Sequence, residues 1–406
     1  MPNKKITLID KEEFFNEKYQ YLSDDNNIDI ISGDKYLDNL DIYDLIIKSP
    51  GISFKNIDIN TFENKITSQL QLFLSFFKGQ TIGVTGSKGK STTSSLIYRI
   101  LEEQDNNTVL LGNIGLPIFD YLDVLNNSTN VVLEISSHQL EYIKKSPNIA
   151  IILNIFEEHL DHYNSYEKYA EAKYNIFRFQ NENDFAIYNM DNSVIQHMLE
   201  KTKLISKQIG VSFQNDDEIK LYNINDDRKL LGNHNLFNIM FCLEVCKILN
   251  LDIAKAVATI KNFEALPHRM EFVGEFNGVK YYNDSIATIP EATINCVEAL
   301  KDVNTLIIGG MDRKIDYSKF IEYLIKSDIE HIVCLPDIGT FIGNEILNIQ
   351  KNKKIYKVSN MEEAVDISKK VTKQNKICLL SPAGASYGFF NNFKERGEAF
   401  KRLVSS

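Results

Sequence analysis

The stretch Thr81–Thr93, TIGVTGSKGKSTT, constrains the chain more than any other. A short apolar run breaks into glycines, ends in Lys90, Ser91 and Thr92, and passes into the helical pattern SSLIYRILEEQ. That order reads as strand, phosphate-binding loop and helix. Gly86 and Gly89 let successive backbone N–H groups turn toward an anion, and the helix start adds its positive end. Lys90 can then reach β- and γ-phosphates, and the Ser91 or Thr92 hydroxyl can ligate Mg²⁺. The strict pattern asks for glycine five residues before Gly89. That position is Val84, with Gly83 one place early, so the loop is a variant of the form TGSxGKST. A plain Gly-rich turn would leave the coincidence of strand, GKST and helix unexplained.

A chain of 406 residues has material for two or three domains. With 43% hydrophobic and 25% charged residues the composition is that of a globular protein. The net charge of −10, with no basic stripe, argues against nucleic acid as a partner. No apolar run reaches the roughly 18 residues of a membrane span and MPNKKITLID lacks a signal-peptide core, so the expected location is the cytoplasm. The five cysteines are scattered without CxxC spacing, which favours buried thiols over disulfides or zinc.

Residues 1–79 alternate strand-length runs, ITLID, IDIIS and DLIIKSPGIS, with polar turns, and close on ITSQLQLFLSFFKG, which reads as a helix. A small N-terminal α/β domain is expected there. Residues 80–266 repeat strand and helix through VLLGNIG, VVLEISSHQLE, IAIILNI and FAIYNM, and end in the long helix of LLGNHNLFNIMFCLEVCKIL. This is the expected central ATP-binding domain of P-loop type, built on parallel strands covered on both faces. Residues 267–406 restart the alternation, with VKYYNDS, PEATINCVEAL, TLIIGG, SKFIEYLIKS, HIVCLP, KIYKVS, MEEAVDISKKV and KICLLSPAGAS. They read as a Rossmann-like domain. The expected fold is α/β in three domains.

Several residues at strand ends carry chemistry. Glu134 closes VVLE, where a carboxylate can hold Mg²⁺ beside phosphates or simply cap the next helix. NIFEEHLDHY clusters Glu157, Glu158, His159, Asp161 and His162 past another strand, where His159 and His162 could ligate a metal and His159 with Glu158 a second Mg²⁺, or where the cluster is a solvated cap. In SYEKYAEAKYNIF, Lys173 shares a helical stripe with Tyr169, Ala170 and Phe177. It either snorkels to solvent or stays desolvated, with a lowered pKa that lets it add CO₂ and become an anionic carbamate ligand. Asn235 and Asn238 of GNHNLFN either cap their helix or read an adenine edge. Arg269 and Asp284 offer a cation and a carboxylate for phosphate and ribose. Ser386, in a small-residue loop, and Lys314 of GGMDRK suit a substrate carboxylate.

TGSKGKST, EISSHQLE, NIFEEHLDHY, GNHNLFN, PHRMEFVGEFNGVKYYNDS and SPAGASYGFFNNFKERGEAF follow the order of motifs in the Mur ligases, which this chain resembles from about Asp44 to its C-terminus. The ending is most similar to the branch that adds glutamate to UDP-N-acetylmuramoyl-L-alanine. The resemblance implies domains for the UDP-sugar, ATP and the amino acid, and cytoplasmic synthesis of peptidoglycan precursor through an acyl phosphate. It implies that Gly86, Gly89, Lys90, Ser91, Thr92, Asn235, Asn238, Arg269 and Asp284 bind ATP. Ser91, Glu134, His159 and a carbamylated Lys173 would hold two Mg²⁺ ions. Asp10, Asn113 and Ser136 would meet the UDP-sugar; Thr288, Lys314, Ser386 and Phe393 would surround glutamate. The expected state is a monomer, and the expected substrate D-glutamate.

Two departures accompany the resemblance. The family opens with a Gly-rich strand–turn–helix, whereas this chain starts at what looks like the second strand, ITLID. The family's NDSKAT is NDSIAT here, so Ile286 replaces a lysine near the acyl phosphate. The alternatives are an L-glutamate-adding variant, a ligase resembling folylpolyglutamate synthase and a non-catalytic nucleotide-binding module.

Overall fold

The computed structural model describes residues 5–11, 22, 26–104, 106–113, 118–158, 162–215, 217–264, 266–312, 315–350 and 353–406. Among these residues three α/β units follow one another.

The first unit is thin. β1 (Ile6–Asp10) pairs in parallel with β2 (Ile28–Ser32), and the two-residue β3 (Ile46–Ile47) with β4 (Ile66–Thr67). Leu40, Phe54, Phe62 and Ile66 form its core, joined by Tyr142 from the second unit. ITS, expected as the start of a helix, is instead β4 followed by a cap. The Ser68 hydroxyl accepts from the Gln71 N–H, so α1 (Gln69–Phe76) starts one residue later. Lys48 ties the unit to the rest: its Nζ lies 3.0 Å from Glu141 Oε2, while His162 Nε2 approaches the same oxygen at 3.4 Å. Burial alone would raise the Glu141 carboxyl, but His162 and Lys48 draw it below its ordinary value.

The second unit is a parallel six-stranded sheet in the order β10-β9-β8-β5-β7-β6. Its elements are β5 (Thr81–Thr85), α2 (Lys90–Glu102), β6 (Thr108–Gly112), β7 (Asn130–Glu134), α3 (Ser137–Leu140), β8 (Ile149–Ile152), α4 (Tyr166–Arg178), β9 (Phe185–Asn189), α5 (Ser193–Lys201) and β10 (Lys207–Val211). After α6 (Asp217–Leu221) and α7 (Ile224–Asp227) come α8 (Asn233–Ile248) and α9 (Ile253–Asn262). One apolar layer beneath α4 and α5 holds Leu133, Ile152, Tyr169 and Phe177; the opposite layer, beneath α2, α8 and α9, holds Val84, Ile97, Ile151 and Phe241. Strand order reverses around β5, so the loop after β5 lies at the switch point where open α/β sheets bind ligands.

The third unit is a second six-stranded sheet, in the order β11-β12-β16-β13-β14-β15. β11 (Glu271–Phe276) and β12 (Val279–Asn283) form an antiparallel hairpin across Asn277 and Gly278, at φ 51° and 75°. This Asn-Gly pair is the usual signal for such a turn, and the alternation around Gly274 hides the first strand. Then follow α10 (Pro290–Leu300), β13 (Val303–Gly310), α11 (Ser318–Lys326), β14 (His331–Asp337), α12 (Ile338–Ile349), β15 (Lys354–Lys357), α13 (Met361–Val371), β16 (Ile377–Leu380) and α14 (Phe393–Ser405). α12 was also unanticipated, because Gly339 and Gly343 dilute its pattern. Gly343 permits close packing: a Cβ there would stand 2.8 Å from Cys334 Sγ. All five cysteines are buried free thiols. No helix among the described residues is long and apolar enough to cross a membrane.

Candidate active site

β5 is buried along its whole length and delivers the chain to Gly86 at the sheet's C-terminal edge. Gly89 sits at φ 88° as the N-cap of α2, and a Cβ there would lie 2.6 Å from Asn238 Oδ1, so only glycine fits. No side chain caps α2, which leaves the N–H groups of its first turn to face the cleft. The loop is pinned from β8: Asn154 Oδ1 accepts from the Lys88 N–H at 2.8 Å and its Nδ2 donates to the Lys88 carbonyl at 3.0 Å. Lys90 Nζ donates to the carbonyls of Gly86 and Ser87 at 2.8 and 3.0 Å. Burial pushes its pKa down to about 8 against the opposing charges of Glu134 and Glu158.

Glu134 ends β7, paired in register with Val84 of β5. It is 1% exposed, and Oε1 accepts from Asn113 Nδ2 at 2.7 Å. Its other oxygen, Oε2, is buried without a hydrogen-bond partner among the described residues. A buried, half-satisfied carboxylate beside a phosphate loop fits a cation, and the Ser91 and Thr92 hydroxyls open the adjoining helix. No group of three or more acidic, His or Cys side chains placed to hold a metal forms among the described residues. His159 lies outside them.

Lys173, on the inner face of α4, does not snorkel. It is 2% exposed, donates from Nζ to the Gly86 carbonyl at 2.9 Å and stands 4.9 Å from the centre of the Tyr169 ring. Burial, and then the charge of Lys90, hold the amine well below its ordinary pKa.

Across from the loop, the second and third units enclose a cleft of about 230 Å³. Lys90, Ser91, Thr92, Asn235, Asn238, Arg269, Asp284 and Thr288 all line it. Asn235 Nδ2 donates to the Leu231 carbonyl at 2.7 Å, and Asn238 Nδ2 to Asn235 Oδ1 at 3.2 Å; both amides are buried. Neither is the N-cap, which is Gly232. His268 and Met270 flank Arg269 at φ 64° and 47°, an uncommon winding around the arginine that faces the cleft. Asp284 accepts from the Ser381 hydroxyl at 2.8 Å and the Met270 N–H at 3.2 Å. Burial outweighs these bonds and the Arg269 charge, and raises its pKa to about 6.

The other expected residues scatter. Ser136 caps α3, its hydroxyl engaged with Gln139. Asp10 ends β1 on the first unit. Ser386 is buried and lines a separate cavity of about 430 Å³ with Gly310 and Arg396, whereas Thr288 lines the cleft. Phe393 starts α14, with its carbonyl accepting from the Ser285 hydroxyl at 2.8 Å and its ring against His268. Lys314 lies outside the described residues. The glutamate positions among the described residues, Thr288, Ser386 and Phe393, are therefore not gathered into one cavity. Lys88, His234 and Asn295 line the cleft without having been singled out in the sequence. Position 88 was legible as part of the loop; His234 and Asn295 carry no local signal.

Two families match the chain: the Mur ligase middle domain over residues 84–246, and the Mur ligase, glutamate ligase domain over residues 268–384. A UDP-N-acetylmuramoylalanine--D-glutamate ligase of Clostridium botulinum (strain 657 / Type Ba4) is 34% identical, over 99% of this chain and 92% of that protein. A protein of the same name from Acetivibrio thermocellus is 34% identical over 92% of this chain and 85% of its own length. Among solved structures, MurF from Acinetobacter baumannii superposes with a TM-score of 0.63 at 16% identity, over 81% of this chain and 77% of that one. The UDP-N-acetylmuramate-alanine ligase MurC from Thermotoga maritima gives 0.60 at 19%, over 98% and 92%. A MurF ligase from Thermotoga maritima in complex with ADP gives 0.60 at 18%, over 86% and 88%. These three likenesses are of fold.

Proposed function

The chain belongs to the Mur ligase family, and from that premise we propose that it adds D-glutamate to UDP-N-acetylmuramoyl-L-alanine at the expense of ATP. The observation that carries this reading is the cleft where Lys90, Ser91 and Thr92 face Arg269 and Asp284. In-line phosphoryl transfer needs positioning and charge more than a protein nucleophile, and the cleft offers both. The alanyl carboxylate attacks the γ-phosphorus of ATP and ADP leaves. The glutamate amine then attacks the acyl phosphate carbon, and phosphate departs from the tetrahedral intermediate.

Lys90 leaves its two loop carbonyls for phosphate oxygens, joined by the free N–H groups at the start of α2. Arg269 is the fixed cation opposite the loop, and Asp284 and the two asparagines bind the nucleoside. Glu134, through its unpartnered oxygen, and the Ser91 hydroxyl would hold Mg²⁺, with His159 as a further ligand of the pair of ions. When bound, Mg²⁺ supplies charge neutralisation at the phosphoryl oxygens. Lys173, whose pKa burial and the charge of Lys90 draw well down, is disposed toward the free amine that carbamate formation requires. Residues 1–79, 80–266 and 267–406 would serve the UDP-sugar, ATP and amino acid respectively. Asp10, Asn113 and Ser136 meet the first substrate; Thr288, Lys314, Ser386 and Phe393 meet the last. Thr288, Ser386 and Phe393 all belong to the third unit, with Thr288 on the cleft that faces the second unit and Ser386 in a separate cavity. The preference for the D-enantiomer rests on the names of the relatives at 34% identity.

Phosphate release from ATP and Mg²⁺ is the direct test, with UDP-N-acetylmuramoyl-L-alanine plus D-glutamate, L-glutamate or neither. Release with D-glutamate alone is expected. Release with L-glutamate alone would reassign the amino acid and make Ile286 the first position to revert to lysine. Release with neither would overturn the acceptor.

A further inference from the structure

We propose that Lys88 is a second phosphate-binding cation of this site, one that contacts the γ-phosphoryl end of a nucleoside triphosphate. The inference rests on reading the cleft as a nucleotide site and goes beyond it by naming a residue that separates triphosphate from diphosphate.

Three observations converge on it. Lys88 lines the same cleft as Lys90, Arg269 and Asp284. Its backbone is fixed on both sides by one amide, Asn154, at the C-terminal end of β8, so the position of its Cα is set by the sheet and not by a free loop. Its ammonium is ion-paired with Glu158 Oε1 at 2.6 Å, and with the side chain 41% exposed the charged head remains accessible. The pair sits at the loop: Phe156, two residues before Glu158, accepts from the Ser87 hydroxyl at 3.1 Å and donates its N–H to that hydroxyl at 2.9 Å. Lys90 and Lys173 both donate to the Gly86 carbonyl of the same loop, at 2.8 and 2.9 Å. Asn238, on α8, stands beside Gly89, and Asn235 is hydrogen-bonded to it. Facing the loop from the third unit, Ile286 offers no charge of its own.

Lys90 and Lys88 thus divide the work. The buried lysine, reaching back over Gly86, suits the phosphates cradled by the loop. The half-exposed one exchanges a single carboxylate oxygen for the more highly charged terminal phosphoryl group, a contact that ADP cannot make. Arginine at this position would keep the charge, and methionine would keep the stem.

The test is calorimetric titration of the full chain, and of its Lys88→Met and Lys88→Arg variants, with ADP and with a β,γ-imido analogue of ATP, each with Mg²⁺. Lys88→Met should weaken the triphosphate analogue on the order of tenfold, the loss of one charge-assisted contact, while ADP changes by less than about twofold. Lys88→Arg should restore most of the difference. Retained ADP binding also serves as the control for folding. Equal weakening of both nucleotides, or of neither, would overturn the inference and leave Lys88 as a partner of Glu158 only. If the unaltered chain bound neither nucleotide, the nucleotide site itself would fall, and this inference with it.

Discussion

Replacing Lys173 by Met measures whether the buried amine is neutral in the folded chain. The side chain is 2% exposed, and its ordinary pKa of 10.5 is lowered by burial first and by Lys90 second. In the unfolded chain the lysine regains its ordinary value and its proton. A base depressed in this way binds fewer protons folded than unfolded. It therefore opposes folding at low pH, and that opposition fades as pH rises toward the unfolded pKa. The slope is at most about 1.4 kcal/mol per pH unit, so the unaltered protein should gain stability over a variant that cannot titrate as pH rises toward the unfolded pKa. Methionine conserves most of the packed stem. Its loss of the hydrogen bond to the Gly86 carbonyl costs about 1 kcal/mol at every pH and shifts the curve without tilting it. Denaturant unfolding of both proteins across a series of pH values below the unfolded pKa, in CO₂-free buffer, reads the tilt directly. Parallel stability curves would refute the reasoning: the amine would then be protonated in place and unable to form a carbamate.

Three further outcomes follow from the geometry. Gly89→Ala forces a Cβ to 2.6 Å from Asn238 Oδ1 at a φ of 88°, so ADP binding by calorimetry should disappear while far-ultraviolet dichroism is retained; ordinary binding would mean that the loop relaxes freely. Asp284, raised by burial from 3.8 to about 6, holds its proton longer folded than unfolded. Its contribution therefore falls as pH rises through that window, by roughly 3 kcal/mol in all, and Asp284→Asn should flatten the pH dependence of thermal unfolding between about pH 4 and about pH 6. Lys48→Met leaves Glu141 without its cation and should cost about 3 kcal/mol in thermal unfolding, partly recovered in the double variant with Glu141→Gln; an additive double variant would show that the pair does not couple the first two units.

The architecture was legible where short-range patterns decide it. Apolar runs of strand length, each followed by a helical period, announced two sheets, and the glycines and GKST after one run announced the loop. The Pro290 helix start held because proline at N1 is a local preference. β11 escaped because Gly274 interrupts its alternation, although Asn277–Gly278 marked the hairpin. α12 escaped because its two glycines look like loop residues until Cys334 is seen against one of them.

The site divided along the same line. Residue type and motif order picked out Lys90, Glu134, Asn238, Arg269 and Asp284, because the chemistry of phosphate, cation and nucleoside restricts which side chains serve. The sequence alone determined that these residues belong to one family of ligases. Tertiary structure decided what each is free to do. Lys173 was ambiguous between snorkelling and burial until the fold turned it toward Gly86, since a stripe on a helix does not say what covers it. Ser136, expected to meet the UDP-sugar, also caps α3 through a capping box with Gln139, a role that its motif does not announce. Glu134 has one oxygen satisfied and one bare, a distinction set by Asn113 arriving from a neighbouring strand. Lys88 became visible only when Asn154 and Glu158, 66 and 70 residues away along the chain, were seen to hold its backbone and its charge. Local preferences fix elements over a few residues; which polar atoms are buried, paired or left bare depends on contacts between segments that no local pattern encodes.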